Sequence, residues 1–305
     1  MQQPKVSVVM PVYNTRPYLE EAIASIFAQT YRNWELVIVD DFSTDGSWEY
    51  VCGIRDPRVR VARNERNMRN SYTLNRGIAL ATGEYIAKMD ADDVSFPERI
   101  ERQMEYLREH PEVDAVGCGL YRVDRDLKLI TVNIPPAAHR DIVRFIAPGR
   151  KFVFGPSFPI TDGCLVARRS WFLRWQYDPA IPYAQDFDQN LRSHYDSVFA
   201  NLQEPLYLYR RVGVTSSWLS QTKAVWYKLG SLSLYGFKKG TVGLSLLALV
   251  SLALRPFFSL LTSVYVACVR SGAGRQSWGA SPEEGRIAGA MAAVRRAVVP
   301  MAKEC

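Results

Sequence analysis

The sequence predicts an α/β fold in which a mostly parallel sheet is flanked by helices on both faces. The first third of the chain repeats one pattern four times, a short apolar run followed by an amphipathic segment with helical spacing. Four such steps imply parallel strands joined by right-handed helical crossovers. Ligands bind beyond the carboxyl ends of the strands in such a sheet. The loops that start at Pro11, Asp40 and Asp90 are therefore expected to carry the function.

The predicted steps can be placed on the chain. Strands are expected at residues 6–10, 36–39, 59–62 and 84–89, and the helices that follow them at residues 17–29, 45–51, 71–81 and 97–109. From residue 113 to residue 211 the pattern is more mixed, with strands expected at 115–123 and 128–133, a proline-broken loop at 135–136 and a short helix near 141–146. We interpret this second half as additional segments of the fold that bind the substrate.

The composition is that of a folded protein with one large core and an appendage. Of the 305 residues, 48% are hydrophobic and 23% are charged, which argues against a disordered chain. The composition changes near residue 218. We predict one domain over residues 1–217, with halves at 1–112 and 113–217, and a helical tail over residues 218–305.

Cysteine spacing and net charge limit the other function classes. The five cysteines show no CxxC spacing and no pairing with histidine, which argues against a zinc site or a disulfide framework and favours a reducing, cytosolic environment. No signal peptide is expected, because the N-terminus passes directly into a strand pattern. The formal net charge is +7, but the basic residues concentrate beside aromatic and apolar tail segments. That distribution argues against nucleic-acid binding.

The predicted tail indicates contact with a membrane. Aromatic residues and lysines alternate between residues 223 and 239, and an apolar stretch then runs from 241 to 269, broken only by Arg255 and Pro256. This stretch suits either one kinked span or a shallow re-entrant or interfacial hairpin. A last helix over residues 283–299, with three arginines among alanines and valines, suits an anionic membrane surface. The alternative is that these helices pack on the domain as ordinary core.

A cluster of carboxylates follows the fourth predicted strand. Asp90, Asp92 and Asp93 lie within four residues, and Pro97 begins the next helix. A helix entry needs only one acid to complement its dipole, whereas three carboxylates repel one another. Magnesium or manganese takes oxygen ligands from one or two carboxylates plus substrate phosphates, which removes this repulsion. The cluster therefore predicts a metal site formed by these three aspartates.

Two further segments with acidic residues are weaker signals by themselves. Asp40 and Asp41 end the second predicted strand, ahead of the turn in which Ser43 or Asp45 caps the next helix. They lie too early to act as caps, so a binding role is favoured for at least one of them. Asp186 begins a segment with helical spacing, where an exposed helix N-terminus is the simpler interpretation.

Taken together, these segments resemble the family 2 inverting glycosyltransferases, which have the GT-A fold, a Rossmann-like and mostly parallel sheet. The resemblance rests on the segments VSVVMPVYN from residue 6, VDDFSTDGS from residue 39, GEYI from residue 83, DADD from residue 90 and QDFD from residue 185. It covers about residues 4 to 215. It implies a nucleotide-sugar-binding half at 1–112 and an acceptor-binding half at 113–217.

The resemblance also implies roles for particular residues. Pro11 and Tyr13 would line the nucleotide base, and Asp41 or its neighbour Asp40 would hydrogen-bond the base. Asp92 and Asp93 would contact the ribose and the metal-bridged diphosphate. Asp90 completes the Asp-x-Asp signature, as an indirect or water-mediated partner of the metal.

The same resemblance places the general base at Asp186, which would deprotonate the acceptor hydroxyl as it attacks the anomeric carbon from the side opposite the diphosphate. Three departures from the family pattern stand out. Gln185 replaces a frequent glutamate and leaves the base intact. Val212 replaces a histidine that often contacts the diphosphate, so that Arg210 or Arg211 is expected to substitute. Arg69 replaces a usual glycine beside the donor pocket.

The leading hypothesis is thus an inverting enzyme that uses a nucleotide sugar, most simply a UDP-sugar, with Mg²⁺ or Mn²⁺. It would act at the cytoplasmic face of the cell membrane, held there peripherally or shallowly through its tail, on a glycan or polyprenyl-linked acceptor. The alternative from another class is a catalytically inactive nucleotide-sugar-binding scaffold of a membrane polysaccharide-synthesis complex, which only Val212 supports.

Overall fold

The computed structural model describes residues 3–137, 160, 162–194, 196–211, 231 and 282–302. The chain forms two compact units, one made of Met1–Val212 with Arg286–Cys305 and the other of Gly213–Gly285. The following account concerns the first unit. The predicted helix near residues 141–146, the apolar stretch at 241–269 and Val212 lie outside the described residues.

The four predicted strand-to-helix steps are confirmed. The strands are β1 (Val6–Val12), β2 (Trp34–Asp40), β3 (Val59–Arg63) and β4 (Tyr85–Lys88), and the helices that follow them are α1 (Arg16–Phe27), α2 (Ser47–Cys52), α3 (Arg69–Leu80) and α4 (Arg99–Glu109). These strands are parallel and lie in the order β3-β2-β1-β4. Each predicted range agrees with the observed one to within a few residues.

The second half adds mixed pairing to the same sheet. Its elements are β6 (Ala115–Val123), β7 (Leu129–Asn133), β8 (Val166–Arg168), α5 (Arg169–Arg174), α6 (Gln185–Ser193) and β9 (Phe199–Arg210). The short strand β5 (Val94–Ser95) precedes α4 in the first half, and α7 (Pro282–Arg296) is the last helix described. In the described part of the chain the nine strands form one sheet, in the order β3-β2-β1-β4-β8-β6-β9-β5, with β7 paired to β6. β8 is antiparallel to both β4 and β6, and β9 runs parallel to β6.

The core lies on both faces of the parallel strands, which is why those strands are continuous apolar runs rather than alternating ones. Val8 and Met10 of β1 face a cluster that includes Ile23 of α1. Val9, between them, faces a second cluster with Leu74 and Ile78 of α3. Successive side chains of a strand point to opposite faces, so β1 is packed between these two helices.

The last helix packs on this domain. Its buried residues Ile287, Ala290, Met291 and Val294 recur at helical spacing and belong to the same apolar cluster as α1. The chain beyond α7 also contacts the turn after α2, where the N–H of Ala302 donates to the carbonyl of Gly53 at 2.7 Å. This packing is the alternative that the sequence left open for the last helix. The boundary near residue 217 itself stays a prediction.

Among the residues that the structure describes, no helix is both long enough and apolar enough to cross a bilayer.

Candidate functional site

The three loops singled out by the sequence lie at one end of the parallel sheet. β1 and β2 run in register to the pair Val12 and Asp40, and the N–H of Met89 donates to the carbonyl of Val9 beyond the end of β4. The segments that start at Pro11, Asp41 and Asp90 therefore leave the sheet side by side. This is the edge at which ligands bind in open α/β sheets.

A cleft of about 680 Å³ opens at this edge. Its walls come from the ends of β1 and β2, the start of α3 and the segment before α6: Pro11, Val12, Tyr13, Asp41, Asn67, Arg69, Asn70, Thr73, Pro182 and Tyr183. The predicted base-lining residues Pro11, Tyr13 and Asp41 are thus brought together. The ring of Tyr13 is about half exposed and offers a flat apolar face to a ligand.

Asp41 forms part of the cleft wall and also fixes the loop after β3. Its Oδ1 accepts hydrogen bonds from Asn64 Nδ2 and the Met68 N–H, each at 2.7 Å, and its Oδ2 accepts one from the Arg69 N–H at 2.8 Å. Arg69 has a φ of 70°, in the left-handed region that favours glycine. Asp41 therefore holds this strained turn beside the cleft, and Oδ2 keeps an acceptor position for a ligand N–H.

Asp40, predicted as an alternative base contact, does not line the cleft. It is fully buried, and its Oδ2 lies 3.1 Å from Arg63 Nε and accepts a hydrogen bond from the Ser43 N–H at 3.0 Å. Successive residues of an extended chain point in opposite directions, so only one of the two aspartates can face the cleft. The structure selects Asp41 for the cleft and makes Asp40 part of the supporting turn.

The three carboxylates of the acidic cluster after β4 outnumber the positive charges described beside them, which are those of Lys88 and Arg210. Burial, followed by the charge of Asp90, raises the pKa of Asp92 to about 6. Burial raises the pKa of Asp93 as well, and the neighbouring Asp92 and Asp90 raise it further. Asp93 is 1% exposed, and its Oδ2 has no hydrogen-bond partner among the described residues. Both shifts reflect carboxylates that are costly to ionise without a cation nearby.

These carboxylates fit a divalent cation in their chemistry, because Mg²⁺ and Mn²⁺ prefer oxygen ligands. Within the described residues, however, no group of three His, Cys, Asp or Glu side chains is arranged to hold a metal ion. Asp90 is turned toward Lys88, at 3.5 Å, and Asp93 toward the backbone of Arg210. The predicted three-aspartate site is therefore not preformed. One or two carboxylates with diphosphate oxygens remain the arrangement that these residues fit.

Four residues of this site were not predicted from the sequence. Lys88, at the end of β4, is only 3% exposed and forms an ion pair with Asp162. The hydroxyl of Tyr177 donates to Asp162 Oδ1 at 2.7 Å. A Cβ atom built on Gly163 would lie 2.8 Å from Asp90 Oδ2, so the turn that carries Asp162 touches the acidic cluster. A lysine inside an apolar strand pattern was the one signal, because a buried ammonium needs a partner.

Asp186 lies in the first turn of α6. The residue before this helix is Ala184, whose φ of 58° turns the chain into the helix. Burial lowers the pKa of Lys88, but Asp162, Asp90 and Asp186 together raise it above its usual value. Burial and then Asp162, Asp186 and Asp90 raise the pKa of Tyr177. Asp186 and Asp90 therefore act on the same two buried groups, although 96 residues (186 − 90) separate them in the sequence.

Asp188, the other aspartate of this segment, has a structural role. It is buried and pairs with Arg192 one helical turn later, at 2.7 Å. Asp186 is thus the carboxylate of this segment whose charge acts on Lys88, the lysine that also lies 3.5 Å from Asp90.

Arg210 ends β9 and is 3% exposed. Its Nη2 donates to Glu21 Oε2 at 2.6 Å, and its guanidinium lies 4.7 Å from the ring centre of Tyr18, both on α1. Its Nε and Nη1 have no hydrogen-bond partner among the described residues, and its charge lowers the pKa of Asp92 against the larger effects of burial and Asp90. These two donors suit an anionic ligand beside Asp92. Arg211 is exposed.

The arrangement divides the edge of the sheet into three chemical parts. The cleft at Tyr13 and Asp41 can hold a planar base. The cluster with Asp92, Asp93 and Arg210 can hold a phosphate group, with a cation to balance the carboxylates. Asp186 supplies a carboxylate that can accept a proton.

The sequence matches the model of the glycosyl transferase family 2 over residues 7–174, which is more than half of the chain. Among similar proteins, EpsE of Bacillus subtilis is 43% identical over 125 residues, which make up 40% of this chain and 45% of EpsE. The glycosyltransferase GlyG of Streptococcus pneumoniae is 40% identical over 122 residues, 39% of this chain and 40% of GlyG. The alignments thus span less than half of either relative. An uncharacterized glycosyltransferase of Haemophilus influenzae is 28% identical over 228 residues, 70% of this chain and 68% of that protein.

Solved structures share the fold. S. aureus TarS 1–349 in complex with UDP-GlcNAc has a TM-score of 0.60 at 18% identity, over 76% of this chain and 66% of that one. The mannosyltransferase PcManGT from Pyrobaculum calidifontis, in complex with GDP-Man and Mn²⁺, has a TM-score of 0.55 at 19% identity, over 95% and 80% of the two chains. The GT-A fold expected from the sequence is confirmed, and the chain belongs to glycosyl transferase family 2.

Proposed function

We propose that this protein is an inverting, metal-dependent glycosyltransferase that moves a sugar from a nucleotide-sugar donor to a hydroxyl of a glycan or lipid-linked acceptor. The observation that carries the proposal is the arrangement of three sites along one edge of the sheet: a cleft for the base, an acidic cluster whose carboxylates outnumber the positive charges described beside it, and a separate carboxylate at Asp186. Family membership supports the reaction class. The relatives with bound UDP-GlcNAc and GDP-Man support a nucleotide-sugar donor.

In this proposal the nucleoside lies in the cleft, with its base against Tyr13 and its N–H donating to Asp41 Oδ2. The diphosphate lies between Arg210 and the acidic cluster, where Asp92 and Asp93 would hold Mg²⁺ or Mn²⁺. When bound, the cation stabilises the negative charge that develops on the leaving diphosphate. UDP is the nucleotide that we propose; because Asp41 Oδ2 could accept an N–H from either uracil or guanine, the donor panel has to include nucleotides of both kinds.

Asp186 is proposed as the general base. It takes the proton of the acceptor hydroxyl while the hydroxyl oxygen bonds to the anomeric carbon and the bond to the diphosphate breaks. Because attack comes from the side opposite the leaving group, the anomeric configuration inverts. In this proposal the acidic cluster holds the leaving group and Asp186 activates the nucleophile. The two roles differ, which is why a carboxylate outside the cluster is needed.

The location of the reaction also remains a proposal. We propose that the protein acts at the cytoplasmic face of the cell membrane, held there through the segment between residues 213 and 285. Its support is the apolar stretch at 241–269 with its basic and aromatic flank. Fractionation of cells that express the complete chain tests this. Recovery with membranes is expected, and recovery as a detergent-free soluble monomer would contradict it.

A donor panel tests the reaction. The full-length protein should be incubated with UDP-glucose, UDP-GlcNAc, GDP-mannose and dTDP-rhamnose in Mn²⁺, with and without EDTA, and the release of nucleoside diphosphate measured. We expect slow turnover of at least one donor, and we expect EDTA to abolish that turnover. Tight donor binding without turnover on any acceptor would instead favour a catalytically inactive scaffold, and neither binding nor turnover would reject the proposal.

A further inference from the structure

Asp162 is placed beside the acidic cluster by the fold. The turn Asp162–Cys164 precedes β8, and β8 pairs antiparallel with β4, the strand that leads to Asp90. A Cβ on Gly163 would lie 2.8 Å from Asp90 Oδ2 and 3.2 Å from the hydroxyl of Tyr207. This turn therefore contacts Asp90 of the acidic cluster, and Asp162 pairs with Lys88, on which the charge of Asp186 also acts.

Asp162 is held rigidly. Lys88 pairs with its Oδ2 and the hydroxyl of Tyr177 donates to its Oδ1 at 2.7 Å, and both of these partners are more than nine-tenths buried. The Asp162 side chain itself is 10% exposed, so it can be reached from outside. An ionised carboxylate oxygen has two acceptor positions. With these two partners among the described residues, each oxygen of Asp162 keeps one position for a ligand hydroxyl.

The charges around Lys88 do not balance. One ammonium faces three carboxylates, since Asp162 is paired with it, Asp90 Oδ1 lies 3.5 Å away and Asp186 also acts on it. Among the residues that the structure describes here, the charge of Lys88 is therefore already neutralised by Asp162, and the remaining carboxylates leave an excess of negative charge. Beside a diphosphate whose charge is balanced by a cation, such surroundings favour a sugar moiety that donates hydrogen bonds and carries no negative charge of its own.

We propose that Asp162 binds a hydroxyl group of the transferred sugar and, with Asp90 and Asp186, restricts the donor to sugars that carry no carboxylate. The inference rests on the proposed function, because it places the sugar between the diphosphate at the acidic cluster and the base at Asp186. It adds Asp162 as a residue that determines specificity and names a neutral sugar as the substrate class. Lys88 and Tyr177 act as positioning residues, through Asp162.

Equilibrium binding to the full-length protein in Mn²⁺ tests this proposal. The probes are UDP, UDP-glucose and UDP-glucuronate, and in parallel GDP, GDP-mannose and GDP-mannuronate, so that each neutral sugar is matched by its carboxylate. In the wild type, the neutral member of the recognised pair should bind at least about tenfold tighter than the carboxylated member. The variant Asp162→Asn keeps the size of the side chain and removes its charge.

In Asp162→Asn, the neutral sugar nucleotide should bind about tenfold more weakly, as expected for a lost charge-assisted hydrogen bond. The affinity for the free nucleotide should not change, and the preference over the carboxylated sugar should fall to about threefold or less. The control is Asp126→Asn, an exposed aspartate in the turn between β6 and β7, which should behave as the wild type.

The outcomes separate this inference from the proposed function. Equal affinity of the wild type for neutral and carboxylated sugars, or an unchanged preference in Asp162→Asn, would overturn the inference while nucleotide binding upholds the donor site. Equal weakening of free nucleotide and sugar nucleotide would also overturn it, since Asp162 would then act on the whole site. Failure to bind any nucleotide would reject the proposed function itself.

Discussion

The backbone N–H of Arg210 donates a hydrogen bond to Asp93 Oδ1 at 2.8 Å, across a sequence separation of 117 residues. The pairing of β5 with β9, in which Val94 lies opposite Leu208, continues this contact directly after the acidic cluster. The acidic cluster and its surroundings are thus assembled from both halves of the domain. The second half fixes one carboxylate of the cluster and supplies the buried guanidinium beside it.

The assignment of the base predicts that Asp186→Asn abolishes transfer and leaves donor binding intact. The amide cannot take a proton, and loss of a general base lowers the rate by about 100- to 10,000-fold. Single-turnover transfer by Asp186→Asn should therefore be lost, whereas its equilibrium donor binding in Mn²⁺ should match that of the wild type. The matched comparison is Asp188→Asn, which removes the ion pair with Arg192 and should lower the melting temperature without removing turnover. Full activity of Asp186→Asn would reject the assignment.

Asp92→Asn should stabilise the protein without metal and abolish the stabilisation that Mn²⁺ provides. The pKa of Asp92 is about 6 in the folded state, raised mainly by burial, against an ordinary aspartate pKa of 3.8. A raised carboxyl pKa means that stability is lost as pH rises from about 4 to above 6, because the folded state then has to release a proton it prefers to keep.

The neutral variant escapes this penalty at pH 7.5. We expect its free energy of unfolding, measured by urea denaturation with EDTA, to be higher by about 1 to 3 kcal/mol. The melting temperature of the wild type should rise with Mn²⁺ at pH 7.5 and rise less at pH 5, whereas that of Asp92→Asn should respond little at either pH. A variant that is less stable than the wild type in EDTA would show that the carboxylate of Asp92 has a structural partner.

The parallel half of the fold could be predicted from the sequence because each of its elements is determined locally. Apolar runs that end in turn-forming residues define β1 to β4, and Pro17 fits the first turn of α1. β9 was missed because Gln203, Glu204 and Pro205 interrupt its apolar pattern, and its register against β6 shifts near Gly119. Such a strand is determined by its neighbours in the sheet rather than by its own sequence.

The candidate site divides in the same way. Asp41 and the cluster at Asp90 could be found because they follow predictable strands. Asp162 could not, because its role depends on the pairing of β8 with β4 and on the buried charge of Lys88. Asp40 and Asp41 could not be distinguished by sequence, since the direction of each side chain is set by the turn that Ser43 forms with Asp40.

Glu35 should make the protein sensitive to acid. Burial is the largest single effect on its pKa and would raise it, but hydrogen bonds from Lys5, Ser7 and Thr82 outweigh burial and lower the pKa to about 2. A depressed carboxyl pKa contributes stability that is present above the unfolded-state pKa near 4.5 and is lost as pH falls from there toward 2. We expect about 3 kcal/mol of unfolding free energy to be lost in that interval.

Urea denaturation of Glu35→Gln measures this contribution. The variant should be less stable than the wild type at pH 7 and should lose less stability between pH 4.5 and 3. The control is Glu65→Gln, an exposed glutamate in the loop after β3, which should follow the wild type at both values. Parallel acid profiles for Glu35→Gln and the wild type would show that other carboxylates govern the acid transition.

Gly163→Ala should impair catalysis by displacing Asp90. The added Cβ would lie 2.8 Å from Asp90 Oδ2, closer than a carbon and an oxygen can approach. Gly163 does not have a positive φ, so its backbone accepts alanine without strain and the clash is the main effect. Because small displacements of groups that hold a leaving group are costly, we expect kcat to fall at least about tenfold.

The control is Gly289→Ala, at a helix position with nothing within 4 Å of the new Cβ. This variant should retain full activity and gain about 0.5 to 1 kcal/mol of stability. Donor turnover, with near-UV circular dichroism to confirm folding, compares the two variants. A folded Gly163→Ala protein as active as Gly289→Ala would show that the position of Asp90 does not limit the reaction, and the acidic cluster would then act through Asp92 and Asp93 alone.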